Sequence, residues 1–168
     1  MVPKYKIHIA PIKRLLYPKS LDYDHDHCAA ILCSSDFSQI TKKISFRYFI
    51  CLEFQDTDDP TNEYSFNSVQ TKELTRFLSE LPADITDLYI ACDAGCSRSP
   101  AIAAALLRAS HRSDRTIWKN PRYYPNPLVY KAVCKAYHLC TPKTMVHLLV
   151  RINQKAYRKA QWNNDTIE

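Results

Sequence analysis

The chain has 168 residues, 46% of them hydrophobic, with a formal net charge of +6, ten prolines and a single glycine. Length and apolar share fit one core, so residues 1–168 read as one domain, and neither a linker, a low-complexity tract nor an internal repeat interrupts them. No apolar run approaches the ~18 residues a bilayer span needs. The start, Met1-Val2-Pro3-Lys4-Tyr5-Lys6-Ile7-His8, alternates like a strand and lacks a signal peptide's apolar core, so a cytoplasmic location is expected. The seven cysteines are odd in number and show no paired spacing. Several fall in predicted strands (Cys33, Cys51) or helix (Cys134), where a reduced thiol serves as a small hydrophobe.

In chain order, strands are expected near Lys6–Ala10, Ala29–Cys33 and Ser45–Phe54. A helix follows over Ser68–Leu81, with Val69, Leu74, Phe77, Leu78 and Leu81 on one face and Pro82 ending it. Next come a short apolar strand, Leu88–Ala91, a helix over Ser99–Ser110 and a stretch rich in proline and tyrosine. Two more helices are expected, over Pro127–Tyr137 and Pro142–Trp162. Strands alternating with helices predict an α/β fold, a layered α/β/α arrangement around a mostly parallel central sheet. The last helix, about 142–162, is amphipathic. It sets Lys143, Arg151, Lys155, Arg158 and Lys159 opposite Met145, Leu148, Leu149 and Ile152, a pattern of ordinary packing before one of partner or membrane contact.

The single glycine, Gly95, lies inside Cys92-Asp93-Ala94-Gly95-Cys96-Ser97-Arg98-Ser99, between the Leu88–Ala91 strand and a helix whose first residues include Pro100. A tight loop between a strand and a helix N-terminus has a chemical use. Backbone N–H groups of residues 93–98 can point inward as a nest, and the helix dipole puts its positive end at the same place. Arg98 adds a planar fork matched to two phosphate oxygens. A thiol at the base of such a loop, Cys92, is expected to ionise more readily than a free cysteine. Ser99 is read as the helix N-cap and Pro100 as the first helical residue. The plain alternative is a buried core cysteine beside a surface arginine.

Cys-x-Ala-Gly-x-Ser-Arg-Ser followed by Pro and an alanine-rich helix resembles the phosphate loop of the cysteine-dependent protein tyrosine and dual-specificity phosphatases, and within them the small bacterial and phage-type tyrosine phosphatases. The resemblance is strongest over residues 88–109 and extends weakly from Phe49 to Asn126. It implies that Cys92 attacks phosphorus, that Arg98 clamps the equatorial oxygens, and that Ser99 bonds the sulfur and helps it leave. Asp93, Ala94, Gly95, Cys96, Ser97 and Arg98 would cradle the phosphate, with the Asp93 side chain facing out toward substrate. Such enzymes usually place a histidine before the cysteine, and here that position is Ala91. No cofactor is implied.

The reaction also needs an acid for the leaving group. Asp56, Asp58 and Asp59 follow the Phe49–Phe54 strand; Asp56 is the first choice, and an exposed acidic turn before Pro60 is the plain reading. Asn126, in Arg122-Tyr123-Tyr124-Pro125-Asn126-Pro127, braces the phosphate loop or positions substrate, and the plain alternative is a cap on the next helix. Cys96 could pair reversibly with Cys92, but an outward loop residue is the simpler reading. His25-Asp26-His27-Cys28 is a poor metal motif, because adjacent loop residues rarely converge on one ion.

Three function classes remain open. The first is a phosphomonoesterase acting on a phosphorylated protein or peptide, on phosphotyrosine or with dual specificity. The second is a non-catalytic phosphate-binding pseudophosphatase, and the third a rhodanese-like sulfurtransferase. Lys4, Lys6, Lys13, Arg14 and Lys19, with Arg108, Arg112, Arg115, Lys119 and Arg122, could form a basic rim that admits a phosphoinositide or an RNA 5′-phosphate. A solvated face is the favoured reading of those charges, and a monomer is expected.

Overall fold

A computed structural model describes residues 5–16, 26–38, 40 and 44–165. Lys4, Lys19 and His25 lie outside the described residues. Four strands, β1 (Lys6–Pro11), β2 (Cys28–Ser34), β3 (Tyr48–Glu53) and β4 (Asp87–Cys92), form one sheet in the order β1-β4-β2-β3 with every pairing parallel. The helices are α1 (Ile12–Leu16), α2 (Ser68–Glu80), α3 (Arg98–Ala109), α4 (Arg115–Trp118), α5 (Pro127–Ala136) and α6 (Lys143–Asp165). The fold is α/β, as the alternation of strands and helices predicts.

Period-two alternation divides the strands between two cores. Ala29, Ile31 and Cys33 of β2 join Leu88, Ile90 and Cys92 of β4 in a large core completed by α2, α3, α5 and α6. Cys28, Ala30 and Leu32 join Tyr89 and Ala91 in a smaller one, covered by Ile12 and Leu15 of α1 and by Phe37 and Phe46. All seven residues of β2 are buried, as a central parallel strand requires. Each fully buried Leu or Ile there contributes roughly 1.5–3 kcal/mol relative to exposure. β3 is one of the two edge strands, and Phe49 is correspondingly exposed.

Several expectations are corrected. The strand expected over Ser45–Phe54 spans only Tyr48–Glu53, and the short helices α1 and α4 were not foreseen. On α2, Leu74 and Leu78 are buried but Val69, in the first turn, lies beyond the core and is exposed. On α6 the inward stripe runs Val146, Leu149, Asn153 at helical spacing, so Leu148 falls outside it and is exposed. Three of the residues named for a basic rim are engaged elsewhere. Lys6 and Arg112 sit at the edge of the sheet where strands begin, Lys6 against Asp87 and Arg112 donating to the Tyr5 carbonyl, while Arg108 pairs with Asp114. No helix among the described residues is long and apolar enough to cross a membrane.

Because all strands run one way, Pro11, Ser34, Glu53 and Cys92 finish at the same edge. β4 lies between β1 and β2, with Cys92 level with Pro11 on one side and Cys33 on the other. The loop after β4 thus opens at the carboxyl edge of the sheet, where the chain order jumps and open α/β sheets bind ligands.

Candidate functional site

Cys92 is the last residue of β4 and only 2% exposed. The chain then reverses into α3 within five residues. Gly95 makes this possible: its φ is +70°, and a Cβ there would stand 2.6 Å from the Pro11 nitrogen and 2.7 Å from the Ala10 carbonyl carbon. The sole glycine of the chain thus answers both a left-handed backbone and a close approach of β1. Its N–H turns back to the Cys92 carbonyl at 3.1 Å, so that amide is spent inside the loop and does not join the expected nest.

The helix begins earlier than expected. Ser97 is the N-cap and Arg98 the first helical residue, which places Ser99 inside the first turn instead of at the cap. Freed from capping, the buried Ser99 hydroxyl lies 3.2 Å from the Cys92 sulfur. The Ser97 hydroxyl makes no cap bond either; it donates to Asp56 Oδ1 at 2.8 Å.

Arg98 is buried beneath the loop. Its Nη1 donates to the Phe54 carbonyl at 3.0 Å and its Nη2 to Asp93 Oδ2 at 2.5 Å, and its Nε is buried with no hydrogen-bond partner. Asp93 departs from the expectation that it faces substrate. Its carboxylate folds back over the loop, with Oδ1 accepting from Ser34 Oγ at 2.8 Å at the end of β2. The reason is local: Arg98 is the nearest cation, and Ser34 supplies a donor on the other side.

Asp56, two residues beyond the Phe54 carbonyl that Arg98 holds, is drawn into the site. Oδ1 accepts from Ser97 Oγ and from Asn126 Nδ2 at 3.0 Å, which leaves Oδ2 toward Arg98, 3.9 Å from Nε. The other two acids stand elsewhere. Asp59 accepts from the Thr61 hydroxyl and N–H, which hold its carboxyl below the ordinary range within its own turn. Asp58 lines a separate groove with Pro60, Lys131 and His147.

Asn126 is the N-cap of α5, and its backbone N–H donates to the Ser97 carbonyl of the loop at 3.4 Å. Its Oδ1 caps α5 by accepting from the N–H groups of Leu128 and Val129, while its Nδ2 donates to Asp56 and to the Thr57 carbonyl. The neighbouring Tyr124 N–H donates to the Cys96 carbonyl at 2.6 Å, so the proline-rich stretch buttresses the loop after β4 from outside. Cys96 itself is half-buried, and desolvation, with the charges of Cys92 and Asp56 behind it, raises its thiol above the ordinary value. All seven cysteines are free thiols. Burial likewise pushes Cys33 well up, and the adjacent Cys92 adds to the effect.

Ala91, at the position where the resembling phosphatases usually place a histidine, points to the opposite side of the sheet from Cys92 and is fully buried in the smaller core. Ser34 and the Phe54 carbonyl were missed by the sequence reading. Neither carries a motif, since each reaches the site only through strand pairing. Among the described residues no group of three His, Cys, Asp or Glu side chains could hold a metal ion.

Cys92, Ser99, Arg98, Asp56 and Asn126 thus come from β4, the loop, α3, the segment after β3 and the start of α5, and meet at one edge. No family model matches the sequence and no curated protein does. Among solved structures it is similar to the crystal structure of PTPMT1 in complex with PI(5)P. The TM-score is 0.44 and the identity 17%, over 95% of this chain and 96% of that chain.

Proposed function

We propose that the protein is a cysteine-dependent phosphomonoesterase of the tyrosine or dual-specificity type, with a phosphorylated protein or peptide as substrate. The observation that carries this reading is the Cys92–Ser99 contact at 3.2 Å, beneath a loop that also presents a buried Arg98 Nε with no hydrogen-bond partner. A sulfur at a strand end, a hydroxyl beside it and an unspent guanidinium N–H are what attack on phosphorus, departure of the sulfur and charge stabilisation require.

In the first step the Cys92 thiolate attacks phosphorus and the S–P bond forms as the ester P–O bond breaks. The leaving oxygen takes a proton from Asp56, whose Oδ2 is the carboxylate oxygen toward Arg98. In the second step water attacks the cysteinyl-phosphate and gives its proton back to Asp56. The sulfur departs as thiolate with the Ser99 hydroxyl donating to it, and inorganic phosphate is released. Arg98 neutralises charge on the equatorial oxygens in both steps.

The surroundings favour a phosphopeptide over a polyanionic headgroup. A cavity of about 350 Å³ opens beside the Phe54 carbonyl that Arg98 holds, and its lining includes Glu53, Glu63, Gln55 and Tyr64 without a lysine or arginine. Asp93 and Asp56 add two more carboxylates at the loop. A ligand with several phosphates would meet this negative edge.

The test is hydrolysis of a phosphotyrosyl peptide and of para-nitrophenyl phosphate by reduced protein in the presence of EDTA. Vanadate-sensitive turnover of both supports the reading. Turnover of neither, with thiosulfate-to-cyanide sulfur transfer in its place, would overturn it in favour of a persulfide enzyme.

A further inference from the structure

Arg98 is the cation on which any bound oxyanion must rest, yet two of its five N–H groups are already engaged by the protein. Nη1 is held by the Phe54 carbonyl and Nη2 by the Asp93 carboxylate. Its Nε is buried without a hydrogen-bond partner, with Asp56 Oδ2 3.9 Å away, an arrangement that ordinarily costs free energy unless an acceptor arrives. A bidentate grip on two phosphate oxygens needs two guanidinium N–H groups on one edge, and Asp93 already engages Nη2, the nitrogen that shares an edge with Nε.

Asp93 is well placed to give way. Its side chain is 50% exposed, against 6% for that of Arg98, so it can exchange the arginine for water while Arg98 cannot move out with it. The second bond of Asp93, from Ser34 Oγ, biases the carboxylate inward. Ser34 is itself 4% exposed at the end of a central strand, so that donor is fixed.

On these grounds, and resting on the reading of this loop as a phosphate site, we infer that Asp93 is a positioning residue that competes with the phosphoryl group for Arg98. In the empty enzyme it holds the guanidinium in its working place. On substrate binding its carboxylate leaves Nη2, and after hydrolysis its return helps expel inorganic phosphate. The residue therefore sets how tightly the site holds oxyanions, and its affinity for phosphate is kept below what the loop alone would give.

The experiment is titration of wild type, Asp93→Asn, Ser34→Ala and Arg98→Ala with inorganic phosphate by calorimetry, paired with steady-state hydrolysis of para-nitrophenyl phosphate. Removing the competing charge should tighten phosphate binding about tenfold in Asp93→Asn, with KM falling and product inhibition rising while kcat does not rise. Ser34→Ala, which only loosens the carboxylate, should move the same way by a smaller factor and serves if Asp93→Asn folds poorly. Arg98→Ala should bind no phosphate. Equal or weaker phosphate binding by Asp93→Asn and Ser34→Ala, beside a wild type that binds, would overturn the competition while leaving the phosphate site standing. No binding by wild type or by any variant would instead remove the phosphate site, and this inference with it.

Discussion

Asn126 Nδ2 lies 3.0 Å from Asp56 Oδ1, joining the start of α5 to the segment after β3 across seventy residues of sequence. Its Oδ1 meanwhile caps α5. Replacing Asn126 by Ala removes both, and should slow hydrolysis by about 10–100-fold through misplacement of Asp56 while costing about 1 kcal/mol of stability for the lost cap. Asn126→Asp keeps a capping acceptor but sets a carboxylate against Asp56, so it should melt near the wild type and still lose activity. Thermal melts beside kcat/KM separate the two effects.

Gly95→Ala should fail for a backbone reason. With φ at +70° and the Pro11 nitrogen 2.6 Å from the new methyl, either the loop or β1 must shift. The expected outcome is a destabilisation of more than about 1 kcal/mol together with loss of phosphate binding, read by calorimetry and melting on the same sample.

Asn153, buried on α6, donates to the carbonyls of Trp118, Asn120 and Tyr123, and the next residue, Tyr124, holds the Cys96 carbonyl. Asn153→Leu leaves three carbonyls short of a donor. It should cost about 1–3 kcal/mol and raise hydrogen exchange at Tyr124, tying the last helix to the loop after β4.

Asp87, at the far edge of the sheet, gives a pH signature. Desolvation raises its carboxyl, but hydrogen bonds from His8 and Thr86 and the charges of His8 and Lys6 outweigh it, so the folded value lies below the ordinary one. A lowered carboxyl contributes stability that is present above its unfolded value near ~3.9 and is lost as pH falls through the folded value. Asp87→Asn should therefore melt lower than wild type at neutral pH, by up to about 1 kcal/mol, and the gap should close in strongly acidic buffer.

The parts of this molecule that were legible in its sequence are those fixed by neighbours along the chain. The apolar runs at 29–33 and 88–91 are strands, the spacing in 68–81 is a helix ended by Pro82, and Gly95 marks a left-handed turn between strand and helix. Asp56 was chosen from three acids by its distance past a strand, and it is the one that reaches Ser97, Asn126 and Arg98. What pattern could not show was where side chains turn once strands are paired. Asp93 folds inward because Ser34, 59 residues away, ends level with the loop. Ser99 leaves the cap because Ser97 takes that place, and Leu148 faces water because the rotation of α6 is set by Asn153 docking on the loop after α4.

The central claim is that Cys92 carries the phosphoryl group. The direct measurement is rapid acid quench of Ser99→Ala protein mixed with para-nitrophenyl phosphate, followed by mass spectrometry of the peptide containing residues 92–98. Because Ser99 lies against the sulfur and would assist its departure, the account predicts that this peptide gains the mass of one phosphoryl group on Cys92. The same gain should be absent from Cys92→Ser protein, which should also release no nitrophenolate. Undiminished nitrophenolate release by Cys92→Ser, or a phosphoryl group found on another residue, would contradict it.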